Sequence, residues 1–313
     1  MKKYFLFLAF ILAQTAYGTP DTVKVGAYVM SLHDINFHDK EYTARFWLWF
    51  LFKNKQFDFV KQLDITNAKS IDTPQLLEDS LGRDKWSMLK MKCAMKENWN
   101  VLDFPFDRQH LQIHIENSLF DRNTLVFVPD LKGSKYDPDG TLAGWSIKNF
   151  KVNVNEKVYE TGFGDYRPGR ESQAFSGFNI EMDIERNAWG LFLKIFVGMY
   201  IAFLIAMVGF APNPWEVEPR FGLPVGGLFA AVGNKYIIDS SLPESASFTL
   251  VDTLHSLTFF TIFMILVVSA VCLKLYDKEK TEQCIRVNRI GSRLVAIIYV
   301  LANVILVVVA ARN

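Results

Sequence analysis

GLFLKIFVGMYIAFLIAMVGFA, residues 190–211, is an almost unbroken apolar run with one charge, Lys194, near its start. Its length matches the roughly 20 residues that carry an α-helix across a bilayer. Two more such runs follow, residues 257–273 and 294–311. Between the first two lies FGLPVGGLFAAVGNKYII, residues 221–238, less apolar and rich in glycine. On hydropathy alone it reads as a surface or re-entrant segment; charge argues that it crosses. Lys274, Lys278, Lys280, Arg286, Arg289 and Arg293 cluster between the last two runs, whereas residues 240–248 hold no Lys or Arg. The positive-inside rule puts the basic cluster in the cytoplasm. An exported domain ahead of the first run then requires residues 221–238 to cross as well. The expectation is a transmembrane domain over residues 188–313, with helices at about 190–211, 221–240, 249–275 and 290–311 and residues 311–313 outside.

The start of the chain supports export. Lys2 and Lys3 precede a short apolar run, residues 4–13, and Ala16-Tyr17-Gly18 offers the small residues of a cleavage site. This is the pattern of a secretory signal, too short for a comfortable membrane span. Residues 1–18 are therefore expected to be removed, and residues 19–187 to form a domain in the periplasm or exterior. A net charge of +1 offers no basic footprint for nucleic acid. Of the three cysteines only Cys93 falls in the exported half, which must hold together by packing, without a disulfide of its own.

The exported half reads as all-β. Residues 42–52 (YTARFWLWFLF) are dense in aromatics, and residues 109–116 (QHLQIHIE) alternate, with Leu111, Ile113 and Ile115 on one face. Residues 145–154 and 178–186 alternate too, and turn clusters at 137–140 and 162–169 separate the runs. Short alternating strands with regular turn signals imply a sandwich. Trp47 and Trp145 read as core packing. His110 and His114 share the polar face of one strand; solvated surface histidines outweigh a metal pair there. With no nucleophile motif, phosphate loop or zinc spacing, neither an enzyme nor a cofactor is expected.

Residues 99–109 read WNVLDFPFDRQ. The run Phe104-Pro105-Phe106-Asp107, with Gln109 after it, resembles the signature loop of the pentameric ligand-gated ion channels, the Cys-loop receptor superfamily. The two cysteines that bracket this loop in animal members fall on Glu97 and Leu111, as is usual in prokaryotic members. Leu142-Ala143-Gly144-Trp145-Ser146-Ile147 is similar to a strand start in a proton-gated prokaryotic member. Ile184-Glu185-Arg186 resembles the basic residue before the first membrane helix, and the ungapped spacing from Arg220 to Leu242-Pro243 resembles the second helix and following loop of glycine receptors. The resemblance runs through the whole mature chain in order.

The resemblance implies an immunoglobulin-like outer sandwich, a four-helix membrane bundle, a homopentamer in a bacterial inner membrane, and a pore lined by the second helix. Gly222, Gly226, Phe229, Gly233 and Tyr236 recur at helical spacing on one face, and by analogy line that pore. Phe229 and Tyr236 would narrow it, and Glu218 at the inner mouth would weakly favour cations. The alternative for the glycines is a close helix-packing seam. Pro224 suits a helix only near its start, which would place residues 218–222 in a loop. Asp107, Phe106, Pro105, Arg186, Leu242 and Pro243 would couple the outer domain to the pore. The ligand site would lie between subunits under a hairpin, residues 162–173, with Phe163, Tyr166, Arg167 and Arg170 facing it. The aromatics suit an ammonium and the arginines a carboxylate; the agonist, small molecule or proton, stays open. Lys235 with Asp239, and Asp252 with His255, read as interfacial pairs. The alternative function is a non-conducting receptor or an envelope assembly protein.

Overall fold

A computed structural model describes residues 19–140, 144–166, 171–245 and 247–312. The signal-peptide expectation, Leu142, Ala143, Arg167 and Arg170 lie outside the described residues. The chain begins with strands β1 (Asp21–Asn36) and β2 (Glu41–Phe52), a one-turn helix α1 (Phe59–Gln62), and strands β3 (Leu63–Ile65), β4 (Ala68–Ile71), β5 (Gln75–Leu81) and β6 (Asp84–Lys96). Strands β7 (Arg108–Asn117), β8 (Leu125–Pro129), β9 (Lys135–Tyr136), β10 (Trp145–Tyr159) and β11 (Gln173–Arg186) follow. Four long helices complete it: α2 (Ala188–Val208), α3 (Val217–Asp239), α4 (Leu250–Asp277) and α5 (Thr281–Ala310).

The strands form two sheets. One runs β4-β6-β2-β1-β8, with β5 added on β6 and β9 on β1; the other runs β10-β11-β7-β3. Alternation fixes which face each strand buries, because successive side chains point to opposite sides. On β2, Tyr42, Ala44, Phe46, Leu48, Phe50 and Phe52 are buried. They meet Leu111, Ile113 and Ile115 of β7 and Phe178, Ile180, Met182 and Ile184 of β11 in one core. Trp47 sits on the opposite face of β2, half-buried against Tyr28 and under Lys90, so it is not in the core. The odd-numbered residues of β2 point away from the sandwich interior, and Trp47 goes with them.

The same core continues into the helices. Phe192, Phe196 and Met199 of α2, Ile238 of α3, and Leu250, Val251 and Leu254 of α4 belong to it. All four long helices are long and apolar enough to cross a membrane, which makes this a multi-pass membrane protein with a β-rich N-terminal domain. Helix α3 is the least apolar, with a mean hydropathy of 1.2 against 2.4 to 2.6 for the others. It starts at Val217, not near Leu223, so residues 218–222 are helical and Pro224 lies inside. One backbone bond is lost at Pro224, and membrane helices tolerate this when neighbours close around the site. Pro224 is buried against the turn at Gly209, with its ring 3.1 Å from where a β-carbon there would stand. Helices α2 and α3 approach closely at Gly227, where a β-carbon would lie 2.6 Å from the Ala202 carbonyl oxygen.

Helix α5 begins at Thr281 and carries Arg286, Arg289 and Arg293 in its early turns. Its apolar part alone marks the span in sequence, so the basic start of the helix reads there as a loop. Inside the bundle, Arg220 is 1% exposed. It donates to Asn288 at 2.7 Å, to Ser269 at 3.3 Å and to the Pro212 carbonyl at 3.3 Å, all neutral oxygens. One side chain thus ties α3, α4, α5 and the α2–α3 link together.

Candidate functional site

The boundary between the sheets and the helices is built around the loop before β7. Gln109 holds that loop: its amide donates to the Asn100 carbonyl at 2.8 Å and to Asp107 at 2.7 Å, and its oxygen accepts from the Asn100 N–H. This leaves Asp107 buried, 3% exposed, with its second carboxylate edge turned to Arg186. Arg186 ends β11 one residue before the cap of α2. Its Nε donates to Asp107 Oδ1 at 2.8 Å and its Nη2 to Oδ2 at 3.3 Å. The guanidinium lies 4.1 Å from the Trp145 ring, 4.8 Å from Phe37 and 5.1 Å from Phe104. A planar cation over aromatic faces and in a two-point bond with a carboxylate is confined in both position and orientation.

The rest of the loop reaches the helices. Phe106 packs edge-on against Trp189 at 5.1 Å and beside Phe192 at 5.5 Å. Pro105 follows Phe104 through a cis bond. The Leu102 carbonyl accepts from the N–H of Leu250, the first residue of α4, at 2.7 Å. Leu242 and Pro243 are buried in the α3–α4 link. With Val101 and Lys235 they line a cavity of about 450 Å³. The loop meets the α3–α4 link through Val101 and Leu102, beside the ion pair and not through it.

Helix α3 has two distinct faces. Arg220, Pro224, Gly227, Ala231 and Ile238 are buried. The opposite stripe, Glu218, Gly222, Gly226, Phe229, Gly233 and Tyr236, is exposed along its whole length. Phe229 is 72% exposed and Tyr236 76%. A β-carbon at Gly222, Gly226 or Gly233 would meet nothing within 4 Å. The close helix contact falls instead at Gly227, so these three glycines form no seam within the chain.

The charges at the end of the bundle nearest the sheets pair differently from their spacing in sequence. Lys235 bonds Asp239 at 2.6 Å and also Asp252 at 2.8 Å. Asp252 serves as well in a capping box with Thr249 at the start of α4, so its carboxylate is taken by Thr249 and Lys235. His255 is fully buried. Its Nδ1 faces the Val251 carbonyl at 2.8 Å and its Nε2 faces Asn234 Oδ1 at 3.1 Å. Asn234 in turn donates to the Ile195 carbonyl, so this group joins α2, α3 and α4.

At the β10-β11-β7-β3 sheet, a cavity of about 310 Å³ opens beneath the β10–β11 hairpin, lined by Glu116, Leu119, Tyr159, Phe163, Gln173 and Phe175. Phe163 faces it. Tyr166, 97% exposed, does not. Glu116, Tyr159 and Phe175 are residues that sequence reading passes over. Glu116 continues the polar face of β7 that carries His110 and His114, but only the strand pairing brings Tyr159 beside it. Their hydroxyl–carboxylate bond is 2.9 Å. Burial, reinforced by that bond, pushes the Tyr159 hydroxyl up to about 12. His110 is half exposed and bonds Asp183 at 2.6 Å, whereas the His114 side chain is only 15% exposed. His114 is therefore no solvated surface residue; strand β11 lies beside it and removes its water. Among the described residues no cluster of three or more His, Cys, Asp or Glu fits a metal ion.

No protein-family model matches the chain, and no curated protein matches it. The geometry itself thus carries the functional argument. It provides a locked joint between a β-rich domain and four membrane helices, a helix with one face unused by its own chain, and a pocket under a hairpin far from the helices along β11.

Proposed function

We propose that the chain is one subunit of a pentameric ligand-gated ion channel, with the β-rich domain outside the cytoplasm and α3 lining an axial pore. One observation carries the reading: the stripe from Glu218 to Tyr236 is turned away from the chain's own core, with Phe229 and Tyr236 largely exposed and open space at Gly222, Gly226 and Gly233. A lipid-facing helix gains nothing from an acid and three glycines on its exposed side. A ring of such faces supplies a pore with a carboxylate mouth at Glu218 and apolar constrictions at Phe229 and Tyr236, which close by dewetting.

Burial of Arg220 strengthens the preference for cations. Its charge points into the bundle, which leaves Glu218 as the charge on the exposed stripe at that end. The Asp107–Arg186 joint would transmit motion of the outer domain to the helices, through Phe106 to α2 and through Leu102 to α4. The pocket at Phe163, Tyr159 and Glu116 is the place for an agonist. The basic start of α5 and end of α4 support a cytoplasmic position for that side by the positive-inside rule, in keeping with a bacterial inner membrane.

The test is single-channel recording of purified protein in planar bilayers, with mass measurement of the assembly. A pentamer that passes cations supports the reading. A silent pentamer points to a receptor that does not conduct, and a monomer removes the reading altogether.

A further inference from the structure

A chain of hydrogen bonds crosses the outer face of the β10-β11-β7 sheet, and its direction is fixed by the carboxylates at its two ends. Glu181 accepts from Lys151 at 2.7 Å and so is ionised, an acceptor only. Asn153 bonds Glu181 at 2.7 Å and must therefore present its Nδ2 there. Its Oδ1 then accepts from Asn179 Nδ2 at 2.8 Å. That leaves the Asn179 oxygen facing His114 Nδ1, which must donate. On the other side of the ring, Nε2 of His114 stands 2.5 Å from Glu116 Oε1. The second Glu116 oxygen is occupied by the Tyr159 hydroxyl.

A neutral imidazole has one N–H and cannot donate on both sides. With Nδ1 committed to Asn179, the short contact between Nε2 and Glu116 needs one more proton, on the ring or on the carboxyl. We propose that His114 and Glu116 form a proton-binding site that latches the β10–β11 hairpin to β7. With the proton bound, the line from Glu181 through Asn153, Asn179, His114 and Glu116 to Tyr159 is complete. Without it, a lone pair faces a carboxylate at a distance neither accepts. Glu116 then moves off the ring and the Tyr159 bond, which sits at the mouth of the hairpin, goes with it.

The surroundings show a site built for this ring. A β-carbon on Gly177 would stand 2.7 Å from His114 Cε1, so only glycine lets the imidazole lie against β11. From the β3–β4 turn, Asn67 Oδ1 accepts the His114 backbone N–H at 3.0 Å. The charged and titratable groups around the pair are few: Lys157 and Tyr159 on β10 act on it, and Asp64 of β3 lines the same cavity. Lys157 opposes the proton, and Glu116 holds it. The bond from Glu116 raises the His114 imidazole above its ordinary range against the cost of burial. The site does not require that the chain conduct ions.

The experiment is nitrogen-15 NMR of histidine side chains in full-length protein in micelles, titrated through neutral pH. Of the five histidines, His114 is assigned by its loss in His114→Gln. If that variant does not fold, replacing His33, His38, His110 and His255 one at a time assigns it by elimination. The expected midpoint lies above the ordinary histidine value of about 6.5, and Glu116→Gln brings it down. Spin labels at Leu119→Cys and Tyr166→Cys report the latch, and their distance distribution broadens above the midpoint. A midpoint at or below the ordinary value, a midpoint indifferent to Glu116→Gln, or a distribution unchanged across the titration each overturns the proposal.

Discussion

Asp107 and Arg186 stand 79 residues apart in the chain and meet in a two-point ion pair from which water is nearly excluded, their side chains 1% and 13% exposed. The pair joins the loop that touches α2 and α4 to the strand that becomes α2. A buried pair is strongly destabilising to break, because the survivor is left charged and alone.

Asp107→Asn and Arg186→Gln should therefore each cost about 3–5 kcal/mol, and the double substitution much less than their sum. Had the pair been an exposed one, each would cost about 0–1 kcal/mol. Denaturation of the purified assembly, run as a double-mutant cycle, distinguishes these cases. Strictly additive effects would show that the joint is held by the aromatic cage of Phe37, Phe104 and Trp145 instead.

Phe229→Ala removes a large, exposed apolar ring from the middle of α3. In the channel reading the resting pore becomes leaky. An assembled variant with unchanged resting conductance would place Phe229 against lipid.

In the same channel reading, Glu218→Ala should lower conductance and weaken cation preference, read as a reversal potential in asymmetric salt that moves toward zero. Arg220→Gln is the control. Arg220 is buried, so its loss should reduce stability of the bundle more than it alters selectivity. Anion selectivity in the unmodified protein would contradict the role given to Glu218.

The His114–Glu116 pair makes stability depend on pH in a definite sense. His114 is raised in the folded state, so its contribution is complete below the unfolded value of about 6.5 and is lost as pH rises through the folded value. Burial alone would raise the Glu116 carboxyl, but the bonds from His114 and Tyr159 together hold it below its usual range. Its contribution is complete above the unfolded value of about 4.3 and is lost as pH falls through the folded one. The pair therefore stabilises most between about pH 4.3 and 6.5. Thermal unfolding followed from this range to pH values above about 6.5 should show the alkaline decline flattened in His114→Gln.

What could be read from sequence was what depends on neighbours along the chain. Alternation placed Leu111, Ile113 and Ile115 on a buried face, and apolar length marked three of the four long helices, with charge asymmetry supplying α3. What failed depended on partners from elsewhere. Asp252 and His255 are one turn apart, yet Asp252 is taken by Thr249 and Lys235, and His255 by Asn234. His114 looked solvated because nothing in β7 shows that β11 will lie beside it. Pro224 pointed to a helix start near Leu223, since the support that lets α3 begin at Val217 comes from the turn at Gly209. The Asp107–Arg186 contact was approachable only through the family resemblance of the FPFD run, as spacing gives no hint across so long a separation.

The core that passes unbroken from the sheets to Phe192, Met199 and Leu254 has a practical result. The β-rich domain is no free-standing module. A chain severed after Asn187 would leave Phe106 without the rings of Trp189 and Phe192 to rest on, and the Leu102 carbonyl without its donor at Leu250. The loop that carries Asp107 would hang over a newly wetted apolar surface. Excising this domain for soluble expression should give an aggregating fragment, unless the exposed underside is first redesigned to be polar.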